Sequence, residues 1–315
     1  MTPQPAIMCP IDFSSASRGA LQYARAITER VAGRLVLLAV ADSLLAEAVA
    51  LGTGAAWNPD DTRDALVRFA AGTLEAGLPA IDVEYVVTVG KPARQILQVA
   101  QATVCHLIVM STHGVTGARK QFFGATTERV LRETTVPVLA TPADDAGPHA
   151  FEDIRRRVNR VLVPVDLTEA SLEHVQIGCS IAEMLRVPVL AASIVEPVRG
   201  PVGAKCHLPS IELERRTRAE DALTGLMASV PAHVHAEALV AYGDPAEEIA
   251  KIARDRHAGL IVMGLEGSPM AGPHMGSVTY RVLCLASALV LAVPPRASLM
   301  PGHGTDARSA TVSTP

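Results

Sequence analysis

Cys9-Pro10-Ile11-Asp12 returns as Val163-Pro164-Val165-Asp166, and it is the first of several such returns. Val89-Gly90-Lys91-Pro92-Ala93 recurs as Tyr242-Gly243-Asp244-Pro245-Ala246, and Leu107-Ile108-Val109-Met110 as Leu260-Ile261-Val262-Met263. Gly124 corresponds to Gly276 and Pro142 to Pro294. The separation drifts only from 154 residues at Asp12/Asp166 to 152 at Gly124/Gly276, so order and spacing are those of a duplicated domain. A chain of 315 residues has room for two units of about 150. The landmarks predict a first domain over 1–143, a polar linker over 144–158 and a second domain over 159–295. The Pro-, Gly-, Ser- and Thr-rich residues 296–315 read as a disordered tail.

Within each copy, short apolar runs alternate with helical patterns. In the first copy residues 7–11, 35–40, 83–89, 107–110 and 136–140 are aliphatic runs without polar alternation, as expected of strands buried on both faces of a parallel sheet. Ala20, Tyr23, Ala24, Ile27 and Val31 form one helical stripe capped by Ser14 or Ser15, and Leu66, Phe69, Ala70, Thr73 and Leu74 form a second. Pro92 opens a helix over 93–101, and residues 126–132 carry the last. The second copy repeats the scheme with Leu172, Val175, Cys179 and Ala182, then Ile249, Ile252 and Ala253 after Pro245. The predicted fold class is α/β: two tandem, doubly wound, five-stranded parallel sheets with helices on both faces. Aromatic residues make up only 3%, so the cores are built from Ala, Val, Leu and Ile.

Charge and cysteine usage narrow the function. Lys plus Arg number 28 against 32 Asp plus Glu, which leaves no basic footprint for nucleic acid or an anionic membrane. Five scattered cysteines without CxxC spacing read as reduced, buried thiols. The opening MTPQPAIMCPIDF shows no charged segment followed by an apolar stretch, so no signal peptide is expected. The apolar run 282–294 is shorter than the roughly 20 residues of a membrane span, and the repeat divides it into a helix end and a strand. A soluble, cytoplasmic protein is the expectation.

The chemistry-bearing stretches follow the fourth strand of each copy. Met110-Ser111-Thr112-His113-Gly114 is followed, nine residues later, by Gly124-Ala125-Thr126-Thr127. Met263-Gly264-Leu265-Glu266-Gly267 is followed, eight residues later, by Gly276-Ser277-Val278-Thr279. A strand end, a glycine-bearing loop and a glycine opening a helix make an anion site, because backbone N–H groups point outward and hydroxyls donate beside them. Asp12 and Asp166 end the first strand of each copy, where a carboxylate can accept from an adenine or ribose donor. Arg119 and Lys120 favour an anion in the first loop, whereas Glu266 in the second opposes one. His113 reads as a loop residue; His233 and His235, on an expected strand edge, and Cys206-His207, in a Pro/Gly loop, do not read as metal ligands.

Strand-one V/I-x-D, strand-three GxPA and the M(G/S)xxG…G(S/A)xT loop, all in duplicate, resemble the universal stress protein family over nearly all of residues 7–294. The resemblance implies an adenine nucleotide α-hydrolase-like fold that binds ATP, with or without Mg²⁺, and acts as a stress-response regulator or protector rather than an enzyme. Carried over by position, the first-copy contacts are Pro10, Asp12, Val40, Met110, Gly114, Gly124, Thr126 and Thr127. The second-copy contacts are Asp166, Ile194, Met263, Gly264, Gly267, Gly276, Ser277 and Thr279. This chain departs from the pattern at Ser111 and Ala125, and by one residue in the length of the second loop. The resemblance further implies face-to-face pairing of the two copies and a homodimer. With no GxxxxGK lysine and no metal-carboxylate cluster, slow hydrolysis is the most that is expected. A nucleotide-free scaffold for a partner protein or an apolar small ligand in the same cleft stays open, and an adenylating enzyme would need a substrate domain that the spare sequence lacks.

Overall fold

In the computed structural model, residues 4–42, 58–74, 81–112, 124–197, 209–268 and 272–295 are described. The first copy runs β1 (Ala6–Ile11), α1 (Ser15–Arg30), β2 (Arg34–Ala41), α2 (Pro59–Ala71), β3 (Asp82–Val89), α3 (Pro92–Ala102), β4 (Cys105–Ser111), α4 (Ala125–Glu133) and β5 (Val138–Thr141). Helix α5 (Phe151–Arg157) follows. The second copy runs β6 (Val161–Pro164), α6 (Ala170–Leu185), β7 (Val189–Val195), α7 (Pro209–Met227), β8 (Ala236–Tyr242) and α8 (Pro245–Asp255). It ends with β9 (Leu260–Gly264), a small hairpin of β10 (Glu266–Ser268) and β11 (Gly272–His274), α9 (Ser277–Leu285) and β12 (Leu289–Val293).

Local chemistry starts the helices where the pattern places them. Ser14 Oγ accepts from the Ser17 amide (3.0 Å) at the head of α1, and Asn58 accepts from the Asp60 amide (3.1 Å) ahead of Pro59. Pro92 and Pro245 sit in the first turns of α3 and α8. Thr73 and Leu74 lie just past the end of α2, and Leu172 is exposed at 38%, with Ser171 taking its expected place in the buried stripe of α6. The apolar run at 282–294 does divide between α9 and β12, and no described helix is long and apolar enough to cross a membrane. Cys9, Cys105 and Cys179 are buried and Cys284 is half-buried, and none of the four is in a disulfide; burial, and then the nearby Asp12 carboxylate, push Cys9 far above its ordinary value.

Apart from the β10–β11 hairpin, the five strands of each copy are parallel, and the two sets form one sheet in the order β3-β2-β1-β4-β5-β12-β9-β6-β7-β8. At the centre β5 pairs antiparallel with β12, Leu139 opposite Leu291. The copies therefore meet edge to edge rather than face to face. Short, almost wholly apolar strands with an unpaired edge satisfy their backbone groups best by pairing with each other. Helices α1, α2, α5, α6 and α7 cover one face and α3, α4, α8 and α9 the other, so each core layer runs continuously through both copies.

The segment read as a polar linker contains α5, whose Ile154 is buried in the first of these layers. Asp145 and Arg157 at its ends meet the buried Tyr23 of α1. The Tyr23 hydroxyl donates to Asp145 Oδ2 (2.6 Å), and Arg157 Nη1 donates to Asp145 Oδ1 (2.7 Å). Burial pushes the Asp145 carboxyl up, but the Tyr23 hydroxyl, the Gly147 amide and Arg157 outweigh it and hold the group below its ordinary value of 3.8. Replacing Tyr23 with Phe should lower stability by about 1–2 kcal/mol at pH 7 in urea titrations. A carboxyl held low contributes fully above its unfolded value and loses the contribution as pH falls through its folded one. The gap between wild type and Tyr23→Phe should therefore narrow in strong acid, and an unchanged gap would remove Asp145 from the account.

Candidate functional site

The carboxyl ends of β1, β2 and β4 lie side by side in the first copy, which brings Pro10, Asp12, Val40 and Met110 to one sheet edge. Immediately after Asp12 the chain turns sharply, with Phe13 at φ 64°, and Leu167 after Asp166 adopts φ 61°. Such a left-handed bulky residue is strained by about 1–3 kcal/mol, and in both copies the preceding aspartate holds it in place. Asp12 Oδ1 accepts from the Ser14 amide (3.0 Å) and hydroxyl (2.5 Å). Asp166 Oδ1 accepts from the Thr168 amide (3.1 Å), the Thr168 hydroxyl (2.7 Å) and the Ser171 hydroxyl (2.9 Å). Burial raises the Asp166 carboxyl, but these donors win and its value is lowered. The two aspartates are turn-makers as well as candidate ligand acceptors, a role that the repeated Asp-x-Ser/Thr spacing signals.

Gly124 caps α4 without a side-chain hydrogen bond, and its amide donates to Thr112 O (2.9 Å). Thr127, 5% exposed, donates its hydroxyl to Ser111 O (3.0 Å), which seats the helix start on the end of β4. Thr279 does the same to Gly264 O (3.3 Å) beneath Gly276, the uncapped start of α9. The buried threonines thus direct their protons into the sheet, while Thr126 stays half-buried in the first turn of α4 and Ser277 is exposed on that of α9. The GxPA glycines also have a structural reason. Gly90 (φ 142°) and Gly243 (φ 144°) turn the chain so that their amides donate to Ala41 O (2.9 Å) and Val195 O (3.3 Å).

The second copy differs at the same edge. Asp166, Ile194, Met263, Gly264 and Gly276 are gathered there, but Gly267 lies in β10, paired with Pro273 of β11. Leu265 and Met275, at the base of this hairpin, are buried, and β11 packs on α4 of the first copy. The loop read as a phosphate cradle is a hairpin anchored across the seam. The imidazole of His174, on α6, covers Gly264, where an added Cβ would collide with Cε1 and Nε2. Gly114, His113, Arg119, Lys120, Cys206, His207 and residues 296–315 lie outside the described residues. His233 and His235 fall in the turn ahead of β8, not on a strand, and His233 faces Glu183 at 3.3 Å. Among the described residues no three His, Cys, Asp or Glu form a metal cluster. A cleft of about 330 Å³ at the seam, bordered by Tyr23, Arg157, Ala250 and His257, contains none of the expected contact residues.

Known proteins agree with this architecture. The sequence pattern described as the universal stress protein family matches residues 5–142 and again 157–294. The chain belongs to the universal stress protein family. Universal stress protein MJ0577 of Methanocaldococcus jannaschii is 26% identical over 148 residues, covering 42% of this chain and 91% of that protein. A universal stress protein from Archaeoglobus fulgidus has the same fold at 17% identity, with a TM-score of 0.62 over 93% of this chain and 97% of that one. The functionally unknown protein PA1789 from Pseudomonas aeruginosa, at 14% identity, gives a TM-score of 0.64 over 92% and 93%.

His174 carries a pH signature. Burial lowers its value below the ordinary 6.5, against the carboxylates of Glu173 and Asp166, which raise it. The unfolded chain therefore takes up a proton before the folded one does. Stability should fall as pH drops from about 6.5 towards the folded value, level off below it, and owe nothing to this group above about pH 7.5. Urea midpoints between pH 8 and pH 5 should show that slope in wild type and a flatter one in His174→Ala; equal slopes would contradict it.

Proposed function

We propose that this universal stress protein binds an adenine nucleotide, ATP by the resemblance of its motifs, at the carboxyl edge of its strands. It acts through the occupied state as a stress-response regulatory or protective protein. The observation that carries the reading is the uncapped start of α4, fastened to the end of β4 at Gly124 and Thr127 and sharing its sheet edge with Asp12 on β1. Amides at a helix start, with the helix dipole behind them, favour phosphate. The Asp12 carboxylate is an acceptor suited to an exocyclic amino group. The described side chains offer no cluster fit to hold Mg²⁺; Mg²⁺ would arrive held by the phosphates. Efficient turnover is not part of this reading, because the described residues position no general base and no metal cluster.

The reading includes a cytoplasmic location and a homodimer of the tandem chain. Since β5 and β12 occupy each other's free edges, such a dimer would use another surface, and sedimentation would report one or two chains per particle.

Freshly purified protein, denatured and chromatographed, should release an adenine nucleotide, and Mg-ATP should bind in titrations. Gly124→Val, which puts a branched side chain at the start of α4, should weaken binding at least about tenfold. No released nucleotide together with no binding of Mg-ATP would reject the reading and leave the nucleotide-free scaffold.

A further inference from the structure

Resting on the nucleotide reading above, we infer that the first copy alone takes the ligand, and that His174 is the residue that closes the second. The two edges are related by the repeat, so each difference can be read position against position. Where α6 carries His174, α1 carries Ala20, and where β9 ends in Gly264, β4 ends in Ser111. The exchange is reciprocal: a ring gained on the helix, a side chain lost on the strand. The imidazole Nδ1 lies 3.2 Å from the place of the missing Cβ, so the space over Gly264 is filled by the protein itself. In this copy the glycine makes room for a side chain, not for a phosphate.

The strand ends have diverged in polarity. Ser111, Thr112 and Thr141 are all buried at the first edge, and the Thr141 hydroxyl, on a residue 0% exposed, has no hydrogen-bond partner among the described residues. A buried hydroxyl without a partner is destabilising and calls for one; a ligand atom reaching between β4 and β5 would supply it. The corresponding residues of the second copy are Gly264, Leu265 and Val293, which present no side-chain polar atom.

Charge divides the two edges in the same sense. Helix α3 begins with Lys91 and Arg94, whereas α8 has Asp244 and Glu247 at those positions. Arg281, in the second turn of α9, reaches Asp244 Oδ2 (2.6 Å) and Glu247 Oε1 (3.1 Å), so the start of α8 lies beside α9. A polyphosphate at α9 would meet two carboxylates already engaged with the nearest arginine. At α4 it would instead meet Lys91 and Arg94 across the corresponding gap.

The test uses the full chain and two matched positions, both exposed first residues of their helices: Ala125 on α4 and Ser277 on α9. Aspartate there suits a helix start but repels a bound phosphate. Equilibrium dialysis with labelled Mg-ATP should give one nucleotide per chain. Ala125→Asp should weaken binding at least about tenfold and Ser277→Asp by less than about twofold. Two nucleotides per chain, or loss with Ser277→Asp and not with Ala125→Asp, would overturn the assignment to the first copy.

The closure is read separately, without nucleotide. Gly264→Ala should lower the melting temperature by about 5 °C in the wild-type background and by much less beside His174→Ala. Equal losses in both backgrounds, or none, would overturn the role of His174. If wild type binds no nucleotide, the nucleotide reading and the first-copy assignment fall together, and the thermal comparison still decides the closure.

Discussion

The antiparallel pairing of β5 with β12 is the contact on which the rest of the architecture depends. Each copy taken alone ends its sheet in a short strand, four or five residues long and almost wholly apolar, with one row of backbone groups unpaired. Pairing these edges satisfies both rows and makes two five-stranded sheets into one of ten strands. Both helical layers then become continuous across the seam, which is why residues of the two copies share each core. The pairing also reverses direction at the centre. The carboxyl edges of the two copies consequently face opposite ways, and a ligand held on one is remote from the other.

Duplication supplied two equivalent edges, and the structure has kept the scaffold of both while altering their surfaces. The strained turn after Asp12 and Asp166, the glycine turns at Gly90 and Gly243, and the threonine hydroxyls under α4 and α9 are the same in each half. Those features shape the backbone. The side chains around the edges have changed: Ala20 against His174, Ser111 against Gly264, Lys91 against Asp244. In the second half the loop has become a hairpin whose outer strand leans on α4, so its contacts serve the seam.

Much of the fold was legible in the sequence because buried parallel strands write themselves as unbroken aliphatic runs and the repeat reads them twice. Residues 35–40 and 107–110, for example, lie within β2 and β4, whereas 83–89, which carries Glu84 and Thr88, forms the half-exposed edge strand β3 rather than one buried on both faces. What was not legible depended on distant partners. Helix α5 is one short element with a single buried residue, Ile154, too little for a periodic pattern. Edge-to-edge docking left no mark beyond the apolar character of β5 and β12, which a face-to-face arrangement would also require. His174 lies outside the apolar stripe of α6 and carries no local signal, and its meaning appears only when Gly264 is placed beneath it. At the candidate site, Asp12, Val40 and Met110 reached the expected edge, while Gly267 did not remain in an open loop.

The position of β12 bears on how the protein is made. Among the described residues it is the last strand in the chain, yet it lies in the middle of the sheet, between β5 and β9. Until the ribosome releases residues 289–293, the nascent chain carries two unfilled apolar edges instead of a finished sheet. The first half can assemble its five strands early, but the joint between the halves must wait until residues 289–293 have emerged. Chain loss that reached β12 would therefore open the molecule at its centre, whereas loss of β3 or β8 would shorten the sheet at one end.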